Sequence, residues 1–440
     1  MDEYKNIWEL YGLKTNPFFT NPLLLFGGDI DIKLAFIGRE YEVKRLQNLI
    51  SNNISGRVIV AGDVGVGKTT FVNFVRSSVP DKVFFTHLKE IAVQPEWDGI
   101  DFILNTLSAI YTTIKLRLDI NPKFIDEEIL KKLELLVDIV ERKNYSISLN
   151  IGVIGGGYGS NTNISIPSLT IHSLQVFFED LIRELKKVGY KGVVLHYNNL
   201  EIIEEPKLIK LFNSIRDFIQ TKEVLFIFIG DLGVPRIISK IKRVESIMSE
   251  SPIILENLSI TELKQLLDKR IQYLNISGLD SIKPYEDEII TKLYQLYNGN
   301  LRSILNSLST AFNELVIDNR PTIMNSEILI NTLSNTAKKR WLDKITDTEK
   351  EALFLILNSG EITNKEIAQS LKKQKQNISK ITNRLLDIYA IKIKRTDGKE
   401  KYFTVDSSIK WFLLEKEKKI LGKNNLTKNI QNEIQKILPN

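Results

Sequence analysis

The sequence predicts an α/β protein built on a parallel sheet, followed by a helical domain and a small C-terminal domain, and three observations carry that prediction. Strand-like runs at Arg57–Val60, Lys82–Leu88, Lys191–Tyr197, Val224–Ile229 and Pro252–Leu255 are mostly continuous in apolar residues, with helical periodicity between them. Continuous rather than alternating runs mark strands covered on both faces, and hence a parallel sheet, here of five strands. From Ser259 to about Ile345 the apolar spacing is wholly helical. After Lys344 the order is helix, helix, turn, helix and hairpin. The expected domains are 1–258 for the α/β part, with an insertion at about 90–189, then 259–343, 344–415 and a basic tail over 416–440.

A chain of 440 residues is long enough for two or three domains with their own cores. Its 43% hydrophobic and 26% charged residues are those of an ordinary globular protein. No apolar run reaches the roughly 18 residues of a membrane span, and Met1–Lys5 lacks the regions of a signal peptide, so a cytoplasmic protein without a membrane partner is expected. The absence of cysteine excludes disulfides, thiolate metal sites and cysteine nucleophiles. His87, His172 and His196 are widely spaced and read as packed or surface residues rather than metal ligands.

The first strand leads into Gly62-Asp63-Val64-Gly65-Val66-Gly67-Lys68-Thr69-Thr70, which fits G-x-x-x-x-G-K-[ST] without a mismatch and is followed by a helix-like segment. A glycine-rich turn between strand and helix aims backbone N–H groups at a phosphate chain, and the helix start adds its positive dipole end. Lys68 is placed to reach the β- and γ-phosphates and Thr69 to ligate Mg²⁺. The expected cofactors are therefore ATP or ADP with Mg²⁺.

The insertion opens with helical periodicity through Phe102, Ile103, Leu107 and Ile110, then Ile129, Leu133, Leu136 and Val140. Tyr145–Val153 alternates with period two, Gly155–Asn161 is a flexible tip, and Ile164–Ile166 is a returning strand. An inserted helix and β-hairpin are expected here.

In the C-terminal part, Thr346 and Thr363 cap two helices, a third runs from about Gln376 to Ile388, and Ala390–Arg395 and Glu400–Val405 flank the turn Thr396–Lys399. That order is a winged helix. Lys372–Lys401 holds ten basic and three acidic residues, an excess larger than the +6 of the whole chain. In such domains the third helix enters the major groove and the wing follows the backbone, so double-stranded DNA is the expected partner. Gln374, Lys375, Gln376, Asn377, Ser379, Lys380, Asn383, Lys394, Arg395 and Lys399 are the candidate contacts, while Ile378, Ile381 and Leu385 should face the core.

Tyr11–Phe18 reads as a turn with aromatic anchors, and Phe36-Ile37-Gly38-Arg39-Glu40 opens an amphipathic helix ahead of the P-loop. With the strand ending in Asn198-Asn199, the segment Lys242-Arg243-Val244-Glu245-Ser246, the Asn298-Gly299-Asn300-Leu301-Arg302 turn and the winged helix, the chain resembles the origin-recognition and replication-initiator branch of AAA+ ATPases. The resemblance covers nearly the full length apart from the insertion. It implies a nucleotide-switched DNA-binding protein, with Gly38 and Arg39 against the adenine, Arg302 approaching the phosphates and Arg243, with Arg236 behind it, as a finger for a neighbouring subunit. Related layouts in STAND signalling or anti-phage ATPases and in transposition regulators imply self-association or protein partners instead.

One departure matters for chemistry. Where the family ends its strand in Asp, for Mg²⁺, and Glu, to orient water, this chain has Asn198 and Asn199. An amide carbonyl holds a Mg²⁺-bound water but neither takes a proton nor offsets the metal's charge. Glu201, Glu204, Glu205 and Asp231 are the substitute carboxylates, and slow or conditional hydrolysis is expected.

Overall fold

The computed structural model describes residues 6–25, 28, 30–52, 55–80, 83–117, 125–148, 169–315, 321–397 and 399–414. They form two compact units, one of Asn21–Glu256 and one joining the N-terminal segment up to Thr20 with the chain from Asn257 onward.

The Asn21–Glu256 unit runs α1 (Ile32–Ala35), α2 (Glu40–Asn52), β1 (Gly56–Gly62), α3 (Lys68–Ser78), β2 (Phe84–Thr86), β3 (Ile91–Ala92), α4 (Gly99–Leu116), α5 (Glu127–Ser148), α6 (Ile171–Lys187), β4 (Gly192–Asn198), α7 (Glu205–Ser214), β5 (Val224–Gly230), α8 (Gly233–Lys240), α9 (Lys242–Glu245) and β6 (Ile253–Leu255). The strands form a parallel sheet in the order β2-β4-β5-β1-β6. To the five expected strands the structure adds β3, which takes up the same edge beyond β2, pairing Ile91 with Tyr197 and Ala92 with Asn198.

Every residue of β4 and β5 is buried, which is why their sequences are continuous rather than alternating. On one face Val193, Leu195 and Tyr197 pack with Phe102, Phe178, Phe212 and Phe218. On the other, Val194, Leu225 and Ile227 meet Leu46, Ile50, Phe71, Val72 and Val75 of α2 and α3. Helix α4 starts at a capping box in which Asp98 accepts from the backbone of Asp101 and the Asp101 side chain accepts in return.

The strand expected over Tyr145–Val153 is corrected. Helix α5 continues through Ser148, its turn-by-turn hydrogen bonding overriding a short alternating stretch of sequence. Residues 149–168, with the expected hairpin tip and returning strand, lie outside the described residues.

The other unit contains α10 (Ile260–Tyr273), α11 (Asp287–Tyr297), α12 (Leu301–Glu314), α13 (Ser326–Arg340), α14 (Asp347–Ser359), β7 (Ile362–Thr363), α15 (Asn364–Ser370), α16 (Lys375–Asp387), β8 (Ile391–Asp397) and β9 (Glu400–Val405). Capping boxes at Ser259–Glu262, Thr346–Glu349 and Thr363–Glu366 start α10, α14 and α15. The three short strands pair antiparallel in the order β7-β9-β8, completing the winged helix. It is joined to the helices before it by buried bonds, Trp341 Nε1 to Ser408 Oγ and Trp411 Nε1 to Ser307 Oγ, both 3.0 Å.

The N-terminal segment was expected with the α/β domain, but it packs in this second unit. Trp8, Tyr11 and Phe18 cluster on Phe312 of α12. Arg270 of α10 donates to the carbonyls of Pro17 (3.1 Å) and Phe19 (2.8 Å), and its guanidinium covers the Phe19 ring. Burial lowers the Arg270 pKa to about 10, which leaves it protonated at neutral pH.

Behind the P-loop, the Asn21–Glu256 unit holds a buried polar set. Arg76 of α3 donates to Thr86 Oγ1 (2.6 Å), Asn73 Oδ1 (3.2 Å), His196 Nδ1 (2.8 Å) and the His87 carbonyl. His87 donates from Nδ1 to the Lys89 carbonyl (2.6 Å) and accepts the His196 N–H at Nε2 (3.0 Å). Burial first, and the Arg76 charge second, push both imidazoles well below their ordinary 6.5, so both are neutral.

A native pKa held down in this way makes the unfolded chain the better proton acceptor below pH 6.5, so stability falls as pH falls through that range. Each histidine contributes up to about 1.4 kcal/mol per pH unit. Urea titrations between pH 7.5 and 5.5 should therefore show a falling midpoint, and His196→Gln should flatten that dependence by about half.

Candidate nucleotide and nucleic-acid sites

The loop between β1 and α3 has the backbone its glycines allow. Gly65 and Gly67 sit at φ 92° and 91°, a region open to glycine at no steric cost. A Cβ on Gly62 would lie 2.5 Å from the Leu255 carbonyl oxygen of β6, so only glycine admits that approach. The Lys68 amine, on a side chain only 7% exposed, donates to the carbonyls of Gly62 (2.9 Å) and Asp63 (3.0 Å). Thr69 and Thr70 are half-buried in the first turn of α3, Val64 is exposed at the rim and Val66 is buried beneath. The N–H groups of a first helical turn have no acceptor within their own helix, and here they open on the glycine loop. These residues fit a nucleotide's phosphates, and a bound Mg²⁺ would offset phosphate charge there.

Gly38 and Arg39 both adopt left-handed φ, 71° and 62°. The Arg39 guanidinium donates to the carbonyls of Val66 and, at 3.1 Å, Glu256, so the Gly-Arg-Glu turn is fastened to the loop itself. Leu23 is bracketed by α3, its N–H meeting Thr70 Oγ1 (3.3 Å) and its carbonyl accepting from Asn73 (3.0 Å).

At the end of β4, Asn198 is 2% exposed and donates from Nδ2 to a Glu90 carboxylate oxygen, while its Oδ1 is buried with no hydrogen-bond partner. Asn199 takes the left-handed φ of 67° that starts the turn Leu200–Ile202, where Glu201 is half-buried with Oε2 unpartnered. Asp231 accepts the Gly233 N–H (2.9 Å) as a turn cap, Glu204 is exposed, and Glu205 pairs with Lys240 (2.5 Å). The sequence reading missed Glu90, whose place beside Asn198 depends on the β3–β4 register. Among the described residues no group of three or more His, Cys, Asp or Glu is arranged to hold a metal ion. Mg²⁺ in phosphate sites, however, takes only one or two protein ligands beside phosphates and water.

Arg243 is exposed on α9, and its carbonyl accepts from Arg216 (3.1 Å); Arg236 is exposed on α8. Arg302, exposed, is the second residue of α12, after the left-handed pair Asn298 and Gly299. His87 and His196 are buried as packing residues and His172 is exposed.

In the winged helix, Gln374, Lys375, Gln376, Asn377, Lys380 and Asn383 are exposed along α16, with Ile378 and Leu385 buried and Ile381 half-buried behind them. Ser379 turns inward instead, its Oγ accepting from Asn364 Nδ2 (3.3 Å), and Thr382 donates to Asn364 Oδ1 (3.0 Å). These bonds seat α16 on α15. Lys394 and Arg395 of the wing both pair with Glu361, and Arg395 lies 3.5 Å from the centre of the Tyr402 ring. Those bonds hold the Glu361 carboxyl below its usual range. Lys375 and Lys399 line a shallow pocket of about 100 Å³ with Thr363, Asn364, Lys365, Glu400 and Lys401. Lys365 and Lys401 are pocket-lining lysines absent from the residue set that the sequence suggested.

No family model matches the chain. It is 20% identical over 417 residues to an uncharacterised HTH-type transcriptional regulator of Methanocaldococcus jannaschii, covering 91% of this chain and 93% of the relative. Similar solved structures include an Aeropyrum pernix ORC2 protein in ADPNP and ADP complexes (13% identity, 91% and 96% of the two chains, TM-score 0.46). An Aeropyrum pernix ORC1 protein in complex with DNA (14%, 88% and 94%, 0.42) and a RuvB variant of Thermotoga maritima (14%, 86% and 96%, 0.40) are further examples. Among the described residues no helix is long and apolar enough to cross a membrane.

Replacing Lys68 by Ala removes the ammonium from the loop without removing the loop. Titration with a fluorescent ADP is expected to show affinity lowered by about 10- to 100-fold, since hydrogen bonds to charged groups contribute about 1.5–3 kcal/mol. The circular dichroism spectrum should be unchanged.

Proposed function

We propose that this protein binds ATP and ADP with Mg²⁺ at Gly62–Thr70 and binds double-stranded DNA through its winged helix, the nucleotide acting as a switch with slow hydrolysis. The observation that carries the reading is one chain joining two charge-matched sites. A phosphate loop holds its lysine between two carbonyls, and four lysines of α15, α16 and the wing surround a single pocket. Seating of α16 by Asn364 presents Gln376, Asn377, Lys380 and Asn383 on the outer side of a rigid helix, the arrangement a major-groove reader needs. The full-length relative described as an HTH-type regulator points the same way. Slow hydrolysis follows from Asn198 and Asn199, because neither amide takes a proton from an attacking water.

Binding of the full chain to duplex DNA should weaken linearly in log affinity against log salt, as phosphate contacts require. Lys375→Ala and Lys399→Ala should each reduce that slope by about one and weaken all sequences alike, whereas Gln376→Ala should alter sequence preference with the slope retained. Fluorescence anisotropy over a salt series on wild type and the three variants measures this. An affinity indifferent to salt would overturn the DNA reading.

A further inference from the structure

Asn198 and Glu90 meet where the P-loop fold needs a carboxylate. The side chains of β4 alternate, with Val193, Leu195 and Tyr197 on the α4 face and Val194 and His196 on the α3 face. Asn198 therefore faces α3, the helix whose N-terminus is the phosphate loop. The Glu90 side chain reaches Asn198 by a direct bond at the sheet edge, where Glu90 also lines a groove with Asn105 and Ser108 of α4. The strands are in register at this end, Tyr197 opposite Phe228 and Ala61 opposite Gly230, which sets Asn198 level with the last residues of β1. Two strand spacings, about 10 Å, separate β4 from β1.

The orientation of the Asn198 amide is fixed by chemistry. Only its NH₂ can face a carboxylate, so Oδ1 points away from Glu90, buried and without a partner. A buried amide oxygen without a donor is destabilising unless something else satisfies it, and a metal-bound water is such a donor. Glu90, on the NH₂ side of that amide, is exposed.

Resting on the nucleotide reading above, we propose that Glu90 supplies from the neighbouring strand the carboxylate that the end of β4 lacks. Glu90 and Asn198 together hold the Mg²⁺ hydration shell on the side of the nucleotide opposite Lys68. The amide positions the carboxylate through its NH₂ and accepts from water through its oxygen. Glu201 and Asp231 are left outside this role.

The test compares the affinity of the full-length protein for AMP-PNP by calorimetry in Mg²⁺ and in EDTA. Glu90→Gln should lose about tenfold or more of the tightening that Mg²⁺ gives, with the affinity in EDTA unchanged. The exchange Glu90→Gln with Asn198→Asp keeps one amide and one carboxylate in contact, and it should restore the Mg²⁺ dependence. If Glu90→Gln keeps the full Mg²⁺ dependence while Lys68→Ala loses binding, the assignment of Glu90 is wrong and the nucleotide reading stands. If Lys68→Ala binds AMP-PNP as well as wild type does, the nucleotide reading fails and this assignment fails with it.

Discussion

Arg76 holds the helix behind the phosphate loop to the sheet. From two turns inside α3 its guanidinium reaches Thr86 at the end of β2, the carbonyl of His87 just beyond and the ring of His196 on β4. Leu, Val or Phe at that position would pack, but none would fix the rotation of α3 about its own axis as several directed donors do. Since the first turn of the same helix follows the glycine loop, the set of that loop relative to β4 follows from these bonds. They also dictate the histidines. His196 accepts from Arg76 and so carries its proton on Nε2, while His87 accepts the His196 N–H and carries its own on Nδ1.

Much of the architecture was legible because local chemistry and tertiary fold agree. Continuous apolar runs gave parallel strands, and capping residues such as Thr346 and Thr363 marked helix starts in both the sequence and the structure. The conformation of the glycine-rich loop was legible for the same reason, since it lies in a contiguous stretch of backbone. What could not be read depends on contacts distant in sequence. Tyr11 and Phe18 read as anchors without saying what they anchor to, and the answer, Phe312 of α12, lies far from them along the chain. At Tyr145–Ser148 the alternating pattern was real, but four residues of period two do not outweigh a helix already propagating through them.

Charge was legible in total and less so in detail. The basic excess of the winged helix is diminished where Lys394 and Arg395 share Glu361 and where Arg384 pairs with Glu349 at 3.0 Å. Glu361 and Glu349 both lie before Lys372, so a count over the basic stretch does not include them. The exposed start of α16 and the tip of the wing, where Lys365, Lys375, Lys399 and Lys401 come together, is the face where positive charge concentrates. Surface pairs contribute little to stability, but they do decide which cations face solvent in a fixed place.

The same limit applies to the strand end at Asn198. A motif reads consecutive letters on one strand, whereas a metal site responds to whatever groups adjoin in space. Parallel pairing puts Ala92 opposite Asn198, and that register brings Glu90, more than a hundred residues earlier in the chain, against the asparagine side chain. Asparagine where Asp would be expected looks like lost chemistry when β4 is read alone. Read across the sheet edge it is half of an amide–carboxylate pair, with the negative charge moved by one strand. The short strand β3, which the sequence did not suggest, is what fixes that pair in place.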